Sequence, residues 1–112
     1  MNLENLPKSI TELSTRGFGF EELRGSFMNF HNLVTLDLSY NNFGEWLSSS
    51  PDGFQFCESI ETIRLWDNGL DTETVSSLVH TLKEKPNFRR LAVDSYPLSE
   101  DIQRLVMEHY SH

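Results

Sequence analysis

The sequence predicts an α/β solenoid, with parallel strands along a concave face and helices or loops along the convex one. Three observations predict it. A frame of apolar slots, eleven residues long, returns four times along the 112-residue chain. Within each copy, apolar and polar residues alternate with the period of a half-buried strand. Each copy is joined to the next by a return segment rather than a tight hairpin turn, so neighbouring strands must run parallel. One such unit cannot bury its apolar face alone, and a continuous core forms only when copies stack.

The frame is clearest from Leu33 to Phe43, where slots 1, 4, 6, 9 and 11 hold Leu33, Leu36, Leu38, Asn41 and Phe43. It returns as Ile60, Ile63, Leu65, Asn68 and Leu70, then as Phe88, Leu91, Val93, Tyr96 and Leu98. A weaker copy reads Ile10, Leu13, Thr15, Phe18 and Phe20. Successive starts are offset by 23, 27 and 28 residues. Strands are expected near residues 12–14, 35–38, 62–65 and 90–93, within a single domain spanning 1–112 whose repeats start near 10, 33, 60 and 88. The core is expected to be a column of Leu13, Leu36, Ile63 and Leu91 beside Leu38, Leu65 and Val93. Leu78, Val79 and Leu82 should close it. The slot-9 asparagines sit where the chain bends, and their amides can bond both that bend and the neighbouring copy. Asn41 and Asn68 should therefore form a short ladder. Phe18 and Tyr96 cannot join it, which makes the outer copies edge turns.

The returns follow in order. Residues 21–30 carry Leu23, Phe27 and Phe30, but Gly25 limits them to a short helix at best. Residues 45–47 should make no more than a helical turn, followed by a Ser48-to-Gly53 loop and a tucked-in segment of Phe54, Phe56 and Cys57. Asp71 starts a helix with the apolar face Val75, Leu78, Val79 and Leu82, ended by Pro86. Ser99 caps another, with Ile102, Leu105, Val106 and Tyr110 facing inward.

These segments resemble the leucine-rich repeat family from about Ile10 to the end of the chain. The longer offsets resemble its ribonuclease-inhibitor type, which implies an α-helical return. The resemblance further implies a non-catalytic module that binds a protein partner through its concave face, as a scaffold, adaptor or inhibitor of a partner enzyme. Leu6-Pro7-Lys8-Ser9-Ile10-Thr11 is similar to segments of leucine-rich effectors from intracellular bacteria, which implies action in a host cytoplasm. A substrate-recognition arm of a ubiquitin-ligase-like assembly is an alternative, though 112 residues leave no room for the docking or catalytic domain such proteins carry.

Charge narrows the partners. With 9 basic and 17 acidic residues the formal charge is −8. That balance repels nucleic acid and anionic membranes and favours a partner with a basic or apolar surface. No apolar run approaches a membrane span. A single cysteine and an opening without a secretory pattern point to the cytoplasm.

Catalytic signatures are missing. There is no nucleophile elbow, phosphate loop or metalloprotease helix, and the carboxylates are scattered. Cys57, as a lone thiol in an apolar run, is expected to be buried and inert. His31 and His80 read as surface or interfacial, and the His109/His112 pair as a solvated end rather than a metal clip. No cofactor and no metal are expected, and an enzyme of unknown chemistry is the weaker alternative.

What remains is the face formed by slots 3, 5, 7 and 8. Its central copies place Tyr40, Arg64 and Trp66 on the open sheet, residue types enriched where binding energy concentrates. Asp37 and Asp67 flank them, and Thr62 and Arg90 extend the patch. Alternatively, Trp66 packs over its own repeat or pairs with Arg64 as a cation–π contact. The two sheet edges are left open to self-association.

Overall fold

The computed structural model describes residues 1–50 and 52–110. Its strands are β1 (Glu12–Ser14), β2 (Thr35–Asp37), β3 (Thr62–Arg64) and β4 (Arg90–Ala92). They form one four-stranded sheet in the order β1-β2-β3-β4, every pair parallel. The register sets equal slots side by side. Glu12, Thr35, Thr62 and Arg90 make one row, followed by Leu13, Leu36, Ile63 and Leu91. The last three strands end one residue earlier than expected. Leu38 and Leu65 still donate to Arg64 and Ala92 of the next strand, at 2.9 and 2.8 Å, but the chain then bends into the slot-9 turn.

Alternation decides which side of the sheet is core. Leu36, Ile63 and Leu91 are buried, with Leu38, Leu65 and Val93 beside them. Leu13 departs from the expected column and is only half-buried. It lies on β1, at the end of the strand order, where among the described residues no further strand pairs.

The asparagine ladder bridges the copies. Asn41 Nδ2 donates to Thr15 O and Leu38 O, both at 2.9 Å, while its Oδ1 accepts from Phe20 N–H at 2.9 Å. Asn68 repeats the pattern one copy on, donating to Leu38 O at 2.9 Å and accepting from Phe43 N–H at 3.2 Å. Each side chain satisfies backbone groups that bending would otherwise orphan. Among the described residues, no buried side-chain nitrogen or oxygen lacks a partner.

The opposite side holds the returns. Residues 21–30 contain a single 3-10 turn, Phe27–Asn29. The next return departs from expectation: α1 spans Gly44–Ser49, longer than a single turn. Glycine and serine are weak helix formers, yet Phe43 and Leu47 are buried and Trp46 lies 6.2 Å from the Phe43 ring and 5.7 Å from Phe54. Packing overrides propensity here. Phe54, Phe56 and Cys57 do tuck in, where the Phe54 and Phe43 rings meet edge-on at 5.4 Å and Phe56 stacks on Phe27 at 6.0 Å.

Helix α2 (Thr72–Leu82) buries Val75, Leu78, Val79 and Leu82, as its apolar period predicts. Helix α3 (Glu100–Tyr110) has no fully buried residue. Its apolar face of Ile102, Leu105, Val106 and Tyr110 is half-buried against the core, since α3 is the last return in the row. At the other end, Leu3 N–H donates to Arg24 O at 2.9 Å and Arg24 N–H to Met1 O at 2.7 Å, so residues 1–3 flank the first return.

The start of α2 carries a pH-dependent contribution. Asp71 accepts from the Thr74 backbone N–H at 2.8 Å, and that bond, reinforced by the Thr74 hydroxyl, holds its carboxyl below the ordinary 3.8. The folded value lies below the unfolded one, so the contribution is complete above the ordinary value and disappears as pH falls through the lowered one. Asp71→Ala should cost about 0.5–2 kcal/mol at neutral pH, whereas Asp71→Asn keeps the cap. Urea midpoints at pH 7 and pH 3 should show Asp71→Asn losing part of the wild-type acid sensitivity. Identical acid dependence in the two proteins would remove Asp71 from that role.

Candidate functional site

Residues alternating with the buried column project from the sheet face opposite the core. Thr35, Asp37, Thr62 and Arg64 are half-buried, while Arg90 is exposed. Beyond each strand the slot-8 residue turns the chain through the left-handed region: Gly17 at φ 77°, Tyr40 at 59° and Asp67 at 51°. Neighbouring copies hold these turns, through Gly17 N–H to Ser39 O at 3.0 Å and Tyr40 N–H to Trp66 O at 2.7 Å. Asp67 N–H donates to Asp94 Oδ2 at 2.7 Å.

Slot 7 is less uniform than the frame implies. Ser39 is fully buried rather than exposed. It is small enough to fold under the turn, where its Oγ accepts from Trp66 N–H at 3.0 Å and its own N–H donates to Asp37 Oδ1 at 3.0 Å. Trp66 occupies the same slot, is too large to follow, and stays 37% exposed.

The expected site residues separate into two groups. Tyr40 and Asp37 belong with Arg16, whose guanidinium lies 4.7 Å from the Tyr40 ring centre and 3.7 Å from Asp37. The cation–π contact on this face is therefore Arg16 with Tyr40, not Arg64 with Trp66. Slot 7 of the first copy places Arg16 on this face, but its pairing with Tyr40 and Asp37 was not anticipated. Asp67 is exposed beside Trp66.

The second group is a hollow of about 350 Å³ lined by Thr62, Arg64, Trp66, Arg90, Ala92 and Tyr110. Four expected residues meet here. Ala92, which slot 5 places on this face, leaves the space over β4; Tyr110 was not anticipated, because it arrives from the far end of α3, which no strand register could reveal. Arg64 and Arg90 sit on adjacent strands, two residues out of step and on the same face. Among the described residues no carboxylate comes within ion-pair distance of either. Two like charges on an apolar wall attract an anionic or strongly accepting group.

Cys57 lies elsewhere, buried with its Sγ 3.2 Å from Ser59 Oγ and 3.5 Å from Leu33 O. Native protein should react with a thiol reagent far more slowly than protein in denaturant; equal rates would contradict the burial. His109 is on α3, and His112 lies outside the described residues. Among the described residues, no group of three or more metal-ligating side chains gathers, and no helix is long and apolar enough to cross a membrane.

The family model described as Leucine Rich Repeat matches residues 32–57. Over those residues the chain is similar to a leucine-rich repeat. No curated protein and no solved structure matches the chain. The matched leucine-rich repeat runs through β2 and α1 to Cys57. Its leucines, Leu33, Leu36 and Leu38, are completely buried. The other three strands stand in register with that repeat, slot against slot.

Proposed function

We propose that the chain is a non-catalytic protein-binding module, a single leucine-rich repeat solenoid over residues 1–112 that grips a partner protein on its concave face. The hollow over β3 and β4 carries this reading: a half-exposed tryptophan beside two arginines that, among the described residues, no carboxylate neutralises. Trp66 is the anchor, Arg64, Arg90 and Thr62 fix the orientation of the group that enters, and Tyr40, braced by Arg16, widens the contact. Asp37 and Asp67 border it. Asp37 is already engaged by Arg16 and by Ser39 N–H, so the hollow favours an apolar or acidic projection more than the basic one expected from net charge. Modulation of a partner enzyme fits a module that covers surface and contributes no reactive group. The likeness of residues 6–11 to bacterial effectors supports action in a host cytoplasm, and the two sheet edges suit self-association.

Co-purification from lysate should recover a single stoichiometric protein. Against that partner, Trp66→Ala should weaken binding by about 2 kcal/mol or more, near thirtyfold, with the fold intact. Lys83→Ala, on the opposite side, should leave affinity unchanged. Equal binding by the two variants, or failure of the helix variant alone, would move the interface to the convex side or an edge.

A further inference from the structure

Carboxylates adjoining the hollow have partners of their own, and its arginines do not. Glu61, just before β3, lies 3.7 Å from Arg89, and Asp94 Oδ2, just past β4, accepts from Asp67 N–H at 2.7 Å. Asp37 stands opposite Arg64 in the register but is turned to Arg16 at 3.7 Å and to Ser39 N–H at 3.0 Å. Among the described residues, Arg64 and Arg90 make no ion pair. Ala92 is the gap between them. It pairs with Arg64 across the sheet, about 4.8 Å away, and follows Arg90 by two residues on the same face of β4.

We infer that the partner enters this hollow with an extended segment carrying an aspartate or glutamate two positions from a bulky apolar residue. The carboxylate sits over Ala92 between Arg64 and Arg90, and the apolar side chain lies against Trp66. The inference rests on the open-face reading and names the chemistry of the group that enters. A carboxylate has two oxygens and accepts from two guanidinium groups at once. Its place is fixed by charge: one more step in the register sets Asp94 beside Trp66, so an acid at the tryptophan end meets a like charge. Alternate residues of an extended segment lie about 6.6 Å apart on one side, the spacing that separates Arg64 from Trp66 along the chain. Tyr110 forms another wall, and burial pushes its phenol up, so the hydroxyl stays a donor at neutral pH. With a net charge of −8 the rest of the chain repels an acidic segment, which sharpens selection for this one seat.

Selection of a random peptide library on the immobilised full chain tests this without the natural partner. Captured peptides should share an acidic residue two positions from an apolar one. A captured peptide synthesised with glutamate at that position should bind about tenfold or more tighter than its glutamine counterpart. Arg64→Gln and Arg90→Gln combined should abolish that preference and leave the glutamine form bound as before, which a misfolded chain would not do. Ala92→Glu, by filling the seat with a carboxylate of its own, should remove the glutamate preference as well. Trp66→Ala should weaken both forms alike. No capture, equal binding of the two forms, or a preference that survives the arginine changes would overturn the inference. Equal binding that still falls with Trp66→Ala would leave the open-face reading standing. Peptides indifferent to Trp66→Ala would overturn the inference, and a co-purified partner equally indifferent would sink the open-face reading with it.

Discussion

Leu36→Ala and Ile63→Ala are each expected to lower stability by about 2–5 kcal/mol, the cost of removing a fully buried branched side chain when the surroundings relax only in part. Both residues sit in the two inner strands, with a paired strand on either side and helices or aromatic rings behind. Neither site can collapse without moving a neighbouring copy. Leu13→Ala removes the same atoms from the half-buried edge and should cost far less. Denaturant titration of the three variants checks the ordering. A loss below about 1 kcal/mol at position 36 or 63 would mean that the column is not packed as described.

Gly44→Ala is expected to destabilise by about 3 kcal/mol, and its sign is informative. Gly44 opens α1, where helix propensity alone would make alanine better by up to about 1 kcal/mol. But Gly44 N–H donates to Asn68 O at 2.9 Å, and a Cβ there would run into the carbonyl oxygens of Asn68 and Gly69. Those are backbone atoms with no rotamer to yield. Relief requires separating two copies, which also stretches the bond from Phe43 N–H to Asn68 Oδ1. An unchanged or raised urea midpoint would show that the copies are not in such close approach.

The contrast between these two sites shows what a sequence can disclose. The Leu36 and Ile63 positions are legible because apolar residues at fixed intervals state a period, and the period states a face. The strand register followed from the same frame, and so did the asparagine ladder, because the bonding capacity of an amide is local chemistry. Gly44 was not legible, since its role depends on a backbone 24 residues onward. Helix α1 was hidden for a related reason: Ser48, Ser49 and Gly44 oppose a helix, and only the burial of Phe43 and Leu47 outweighs them. At the candidate site, slot counting brought Thr62, Arg64, Trp66 and Arg90 to one face. It could not foresee that side-chain size divides slot 7, sending Ser39 inward and leaving Trp66 out. Slot counting put Arg16 on the face but gave it no part beside Tyr40 and Asp37, and it could not find Tyr110, which reaches the face from a helix end.

The left-handed turns at Tyr40 and Asp67 have an evolutionary consequence. A residue with a Cβ held at positive φ costs about 1–2 kcal/mol relative to glycine, and the equivalent turn of the first copy does use glycine, at position 17. Selection for thermal resistance alone would therefore drive positions 40 and 67 toward glycine or asparagine. A library screened for heat tolerance and one screened for partner capture should diverge at these two codons before any others on the face, which makes them the place where durability and recognition can be traded separately.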